Sequence, residues 1–354
     1  MNDHPVLEQV ALGYSPVIDP KRNVAATRLT LFPLKPDAAP PAADLLTALA
    51  EVWPEPGAPV CLNIAGEALL RGVLEGAPQT NMWIEVPAFL AADAAYAPSL
   101  LELHGRGLTL LLSGRPTRPV PREVLPCFKH SVIDVHEERR SDGDGDGIPR
   151  SITHMQSGVR TLGELEAAFK RGAVGVIGWP LDDAMERQGA KGGAQADYTT
   201  IVRLIQQVDK ELPAQQLEET IKHDPALAFK LMRYINSPAF GLAVEISSFR
   251  HAIMILGYQR LKRWLALLLA TASKDPNMKP VMFAAVRRGL VMEELAKVSG
   301  NEEMRNELFI CGVFSLLDRM FRQPFSELLK TIPVPERVFQ ALADQTGPYE
   351  PYCK

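Results

Sequence analysis

Apolar positions follow two different periods along this chain. Before residue 180, short β-rich runs recur at 60–64 (VCLNI), 82–86 (MWIEV), 108–112 (LTLLL), 132–135 (VIDV) and 174–177 (VGVI). Brief apolar or β-branched runs bounded by turn residues predict strands. The stretches between them are long enough for helices, as at 162–171 (LGELEAAFKR). Strands alternating with helices predict βαβ units around a parallel sheet. With at least six or seven such strands, the expected form is a small or incomplete (β/α) barrel. Two stretches interrupt it. Residues 35–59 hold six prolines among many alanines, so a helix there must be short and flanked by turns. Residues 139–149 (RRSDGDGDGIP) have almost nothing to bury and predict a solvated loop.

Residues 187–196 (RQGAKGGAQA) are small and polar with three glycines, the composition of a linker. Beyond them apolar residues fall at three- and four-residue spacing, predicting helices at 198–208, 217–222, 226–235, 249–256, 260–272, 281–298, 304–321 and 336–344. Asp224-Pro225 pairs an N-cap side chain with proline at the first helical position. Gly257 falls where one predicted helix ends, the usual place for a left-handed cap. The chain is therefore expected to hold an α/β domain at 1–186, a linker at 187–197 and an all-α bundle at 198–354. Proline follows the same division, with 19 of 29 at or before Pro180.

Composition narrows the function classes only coarsely. At 46% hydrophobic and 23% charged the chain is an ordinary globular protein. Its 38 basic and 42 acidic residues leave a net charge of −4, so no general attraction to nucleic acid or anionic membrane is expected. The first ten residues carry no signal-peptide pattern, and the longest apolar run, 264–270, is far short of the roughly 20 residues of a spanning helix. Four cysteines, at 61, 127, 311 and 353, show no CxxC spacing. A cytoplasmic, reduced protein is the expectation.

Residues with chemical potential each have a plain alternative. Asp142, Asp144, Asp146 and Gly147 imitate the start of an EF-hand loop, but Thr153 stands where a bidentate Glu is needed and Pro149 interrupts it. His223-Asp224 spells the HD dipeptide of metal phosphohydrolases, yet its Asp sits in an N-cap context and no histidine occurs from 281 to 321. Arg250, His251, Arg260, Lys262 and Arg263 cluster in sequence and are expected to form a solvated face rather than a nucleic-acid contact. No P-loop, G-x-S-x-G or H-E-x-x-H motif is present.

The segment 224–265, DPALAFKLMRYINSPAFGLAVEISSFRHAIMILGYQRLKRWL, closely resembles the HDOD domain, whose pattern runs DPxL, LLRxxNSxxFG, then RHAIxxLG and RL. The resemblance implies a helical relative of HD hydrolases that lacks the metal ligands and serves regulation or interaction. Where an HD enzyme would read AGLLHDIG, residues 311–318 read CGVFSLLD, placing Ser315 and Leu316 at the ligand positions. Order and spacing in the N-terminal half resemble a degenerate EAL domain, the (β/α) barrel of cyclic-di-GMP phosphodiesterases. Tyr14 to Ile18 resembles its opening YQPI, Leu62-Asn63-Ile64 its VNLS strand and Trp83-Ile84-Glu85-Val86 its LEITE strand. Val132-Ile133-Asp134 resembles KID, 158–161 GVET, and 176–179 the closing QGY.

Carried over residue by residue, most of that family's chemistry is replaced. Arg28 stands at the signature carboxylate, Leu112-Ser113 at the Asp pair, Val132 at the lysine, Arg160 at the second glutamate and Ile177 at the glutamine. Asn63, Glu85 and Asp134 remain as former ligand positions. The resemblance thus implies a pseudoenzyme without catalytic residues, bound metal or cofactor, signalling through contacts with a protein partner not identified by the sequence. The alternative is a receptor that binds cyclic-di-GMP without hydrolysis, with Arg28 suited to a phosphate. The expected contact surface of the bundle lies near Asn236, Ser237, Arg250 and His251, although Asn236 and Ser248 equally suit helix capping and His251 simple packing.

Overall fold

Alternation along the strands sorts the first half into an interior and a shell. The computed structural model describes residues 4–35, 39–139, 152–183, 194–237, 246, 248–273 and 275–353. Eight strands close into a barrel: β1 (Val10–Ile18), β2 (Val24–Pro33), β3 (Val60–Ile64), β4 (Met82–Pro87), β5 (Leu110–Ser113), β6 (Phe128–Asp134), β7 (His154–Val159) and β8 (Gly175–Gly178). Side chains on a strand point alternately to its two faces. Ala26, Cys61, Leu111, Val132, Met155 and Ile177 accordingly meet in one apolar cluster within the barrel. Their neighbours Leu29, Leu31, Leu62, Ile64, Ile84, Val86, Leu110 and Leu112 join a second cluster with the surrounding helices.

The barrel is closed, the small rather than the incomplete of the two expected forms. It differs from the expected parallel sheet in one respect: β1 runs antiparallel to both β2 and β8 while all other neighbours are parallel. The link between β1 and β2 explains the difference. It is a tight turn in which the Asp19 amide donates to the Asn23 carbonyl (2.9 Å) and the Asn23 amide returns to Asp19 Oδ1 (2.8 Å). So short a link makes a hairpin, whereas a parallel crossover needs a dozen residues or more. The hairpin and β7 have polar or proline-broken sequences, which is why they escape a search for apolar runs.

Helices occupy the predicted gaps. Ala42–Val52 fits between the prolines of the proline-rich stretch. Leu162–Lys170 begins with a capping box in which Thr161 Oγ1 accepts from the Glu164 amide and the Glu164 carboxylate reaches back. The acidic stretch at 142–147 lies outside the described residues, as does most of the expected linker.

The chain divides into two compact units, Met1–Asp182 and Asp183–Lys354. The second is helical, and its first helix, Ala194–Asp209, starts within the stretch expected to be linker, because Ala194, Gln195 and Ala196 suit a helix as well as a loop. Asp224 caps Pro225–Ile235 by accepting from the Leu227 amide (2.9 Å), as expected. Gly257 interrupts Phe249–Ala270 with φ 70° and ψ 163°. That is positive φ in an extended conformation rather than the left-handed helical cap expected, and glycine is the residue that enters it without strain.

The predicted helix at 304–321 is two helices, Glu302–Phe314 and Leu317–Phe321. Ser315 makes the break. Its Oγ donates to the Gly312 carbonyl (2.7 Å) and accepts from Arg288 (3.1 Å). A serine bonded back to its own helix in this way competes with the next helical turn. Glu302–Phe314 crosses Lys279–Ala296 at Gly312 and Gly289, where a Cβ on Gly312 would stand 2.6 Å from the Gly289 nitrogen. The remaining predicted helix is Glu336–Phe339 followed by a π-turn over Gln340–Asp344.

Candidate functional site

Arg28, Asn63, Glu85 and Asp134 have the same strand parity as the interior cluster, and three of them lie toward the ends of parallel strands β3, β4 and β6. The carboxyl ends of such strands are where barrels of this type carry their chemistry. Arg28 and Glu85 meet directly. Arg28 Nε donates to Glu85 Oε1 at 2.6 Å and Nη2 to Oε2 at 2.7 Å, a two-pronged ion pair. Glu85 is 1% exposed, and the Arg28 side chain retains 18%. Burial by itself lowers the Arg28 pKa, but the bonds to Glu85 and its charge, with Asp134 adding to them, hold the guanidinium above its ordinary value.

Cys61 completes this cluster and was not identifiable as a member from the sequence. Its Sγ donates to Glu85 Oε1 at 3.2 Å. Burial, then the Glu85 charge, pushes the Cys61 thiol well up, which keeps it a protonated donor. Asn63 is engaged elsewhere, its Nδ2 donating to Thr30 Oγ1 at 3.3 Å. Asp134 Oδ1 accepts from the His136 amide (2.9 Å). Gly158, at φ 75°, passes so close that a Cβ there would stand 2.5 Å from Asp134 Oδ2. The structure therefore unites Arg28, Glu85 and Cys61, leaves Asp134 within electrostatic reach, and places Asn63 in a separate bond.

This donor set does not fit a pair of metal ions. Glu85, the one deeply buried carboxylate among the described residues, has both oxygens on Arg28 and a third donor in Cys61. A cation site needs carboxylate oxygens free to coordinate. Val132 and Ile177, which the sequence resemblance set against a lysine and a glutamine, lie in the apolar interior. Arg160, aligned with a glutamate, pairs outward with Asp182 at 3.0 Å. Among the described residues, no three His, Cys, Asp or Glu side chains converge as ligands.

In the helical unit, Asn236 Nδ2 donates to the Ile246 carbonyl and its Oδ1 accepts from the Ile246 amide, both at 2.8 Å. Asn236 is thus a brace between two segments of chain, closer to the capping alternative than to a free contact residue. Ser237 is half-buried, its amide donating to the Tyr234 carbonyl (3.1 Å). Ser248 caps Phe249–Ala270 through the His251 amide, and the His251 side chain is exposed. Arg250 binds Glu218 (3.1 Å), which also holds Lys222 (2.8 Å). Those two cations keep the Glu218 carboxyl below the ordinary carboxylate range. Lys262 and Arg263 pair with Asp209 and Glu293, so much of the sequence's basic cluster is neutralised within the fold. Phe229 and Met254, 67% and 64% exposed on the two helices of this region, had no distinguishing signal in the sequence.

Residues 197–322 match the model of the HDOD domain. The C-terminal half carries an HDOD domain. The chain is also similar to the cyclic di-GMP phosphodiesterase CdgJ of Vibrio cholerae serotype O1, at 26% identity over 153 residues. It is similar to the uncharacterized protein YuxH of Bacillus subtilis at 28% identity over 159 residues. Each match takes in 43% of this chain and spans only 35% and 38% of the two relatives. Among solved structures, the FimX EAL domain from Pseudomonas aeruginosa bound to c-di-GMP aligns with 50% of this chain and 90% of its own, at 14% identity and TM-score 0.33. A standalone EAL protein from Vibrio cholerae O395, also bound to c-di-GMP, aligns with 48% and 90% at 14% identity and TM-score 0.33. No described helix, in the HDOD domain or outside it, is long and apolar enough to cross a membrane.

Proposed function

We propose that this chain is a non-catalytic signalling component, in which a degenerate EAL-like barrel is retained as a fold and the HDOD domain works through contacts with a protein partner. The observation that carries this reading is the Arg28–Glu85 ion pair. Hydrolysis of a phosphodiester by two metals needs carboxylates that hold the ions and lower the pKa of the attacking water. Here the buried carboxylate neutralises an arginine, and apolar side chains fill positions that the family uses for polar ones. Similarity to a protein named as a cyclic di-GMP phosphodiesterase places the proposal within that signalling chemistry without assigning the reaction to this chain. The contact surface on the HDOD domain is assigned to the region of Ser237, Arg250 and His251, with Phe229 and Met254 as its apolar anchors.

The test is calorimetric titration of the full chain with cyclic-di-GMP, with and without Mg²⁺ or Mn²⁺, followed by chromatography of the same samples. No heat and no product is the expected result. Turnover abolished by Glu85→Ala would overturn the proposal. Saturable binding without cleavage, lost on substitution of Arg28, Asn63 or Glu85, would replace it with the receptor reading.

A further inference from the structure

Two of the four cysteines are separated by 42 positions in sequence yet meet in space. Cys311 Sγ lies 3.6 Å from Cys353 Sγ. Cys311 is fully buried in Glu302–Phe314, whereas Cys353 is half-buried in the short helix Glu350–Cys353. The location adds meaning to the pair. Cys311 opens the stretch 311–318 that aligns with the HD ligand segment, one residue before Gly312 and four before Ser315. Arg288 binds Ser315 there and also acts electrostatically on Cys353.

We propose that Cys311 and Cys353 form a redox modification site, in which a hydroperoxide oxidises Cys353 and Cys311 resolves it to an intrachain disulfide. The two thiols differ in the way such a reaction needs. The bond from Cys311, with the charge of Arg288 assisting, holds the Cys353 thiol below the ordinary cysteine value, although burial and Glu350 oppose the shift. Its bond to Cys353, burial and the charge of Glu307 push the Cys311 thiol up. The accessible sulfur is therefore the one that becomes a thiolate, and the buried one is the nearby thiol that follows.

The chemistry balances in two steps. The Cys353 thiolate attacks one oxygen of the peroxide, breaking the O–O bond to give a sulfenic acid and hydroxide. Cys311 sulfur then attacks the sulfenic sulfur, forming the S–S bond as the sulfenic oxygen leaves with protons as water. Two thiols and one hydrogen peroxide yield one disulfide and two waters. A disulfide needs a sulfur separation of about 2.05 Å, so the two side chains must close by roughly 1.5 Å. That closure falls to the half-buried Cys353, whose helix Glu350–Cys353 buries none of its own residues although Tyr349 just before it is buried. The product clamps this helix to Glu302–Phe314 beside the Gly289–Gly312 crossing.

The test uses the full chain treated with hydrogen peroxide, alkylated in denaturant and digested without reductant for mass spectrometry. A Cys311–Cys353 cross-linked peptide should dominate, with Cys61 and Cys127 recovered alkylated and the link reversed by dithiothreitol. The oxidised protein should also unfold several degrees higher, because the closed loop restricts the unfolded chain. Cys353→Ser should lose both effects while leaving Cys311 as a thiol. Recovery of Cys311 and Cys353 as alkylated thiols would overturn the proposal. So would Cys353 found as sulfinic acid or joined to any other cysteine, including that of a second molecule.

Discussion

Arg28→Met removes the cation of the barrel while keeping most of its stem, and leaves Glu85 buried without a counter-charge. Breaking a buried ion pair from one side costs about 3–5 kcal/mol. The low end applies here, about 3 kcal/mol, because 18% of the Arg28 side chain reaches solvent while Glu85 is 1% exposed. For a unit of this size about 3 kcal/mol corresponds to a fall of roughly 6–12 °C in the barrel's unfolding transition. Removing both charges should be far milder. In Arg28→Met/Glu85→Leu the new side chains join Ala26, Leu111 and Val132, and exchanging a buried pair for apolar residues is often neutral or favourable. The double variant should therefore lie within about 1 kcal/mol of the parent, giving a coupling of at least about 2 kcal/mol, larger by whatever Glu85→Leu alone costs. Scanning calorimetry of the four proteins measures the cycle. A single variant that loses less than about 1 kcal/mol, or a double variant that loses the sum of the two singles, would refute the self-neutralised interior.

The helical unit offers two sharper structural checks. Gly312→Ala puts a Cβ within 2.6–2.7 Å of the backbone of Gly289 and Arg288, and should cost about 1–3 kcal/mol of overpacking, whereas Gly105→Ala, with nothing within 4 Å, should be neutral or stabilising. Equal thermal shifts for both would contradict the close helix crossing. Asn236→Ala removes both 2.8 Å bonds to Ile246 and should cost about 2 kcal/mol, read as faster hydrogen exchange at the Ile246 amide. Unchanged protection there would show that the brace does not hold that segment.

What could be read in advance followed from local physics. The strands at 60–64 and 82–86 and the capped helix at 225 announce themselves through apolar runs and an Asp-Pro signal. The helix break at Ser315 did not, because the side chain's choice between its own carbonyl and solvent depends on Arg288, 27 residues away. The antiparallel β1 was hidden by Pro16, which lies within it, and by Pro20 in the turn that follows, residues that lower strand propensity although that turn dictates a hairpin. At the candidate site, motif spacing located Arg28 and Glu85 individually. Their pairing, and the part played by Cys61, required the barrel register that sets Arg28 opposite Cys61 and Cys61 opposite Trp83, two residues before Glu85. The same limit hid Cys311 and Cys353, since no local pattern reports a contact made across 42 positions.

The alternation of the barrel strands has a consequence for what a single strand can carry. On β3, Cys61 and Asn63 face one way while Leu62 and Ile64 face the other; on β4, Glu85 lies between Ile84 and Val86. The inward set holds the Arg28–Glu85 ion pair, and the outward set packs against the surrounding helices. The two sets are interleaved in the chain but belong to separate apolar clusters. A strand can thus carry one half of a buried ion pair on one face and apolar packing on the other. Charge and packing are, in this architecture, assigned to alternate residues of the same strands.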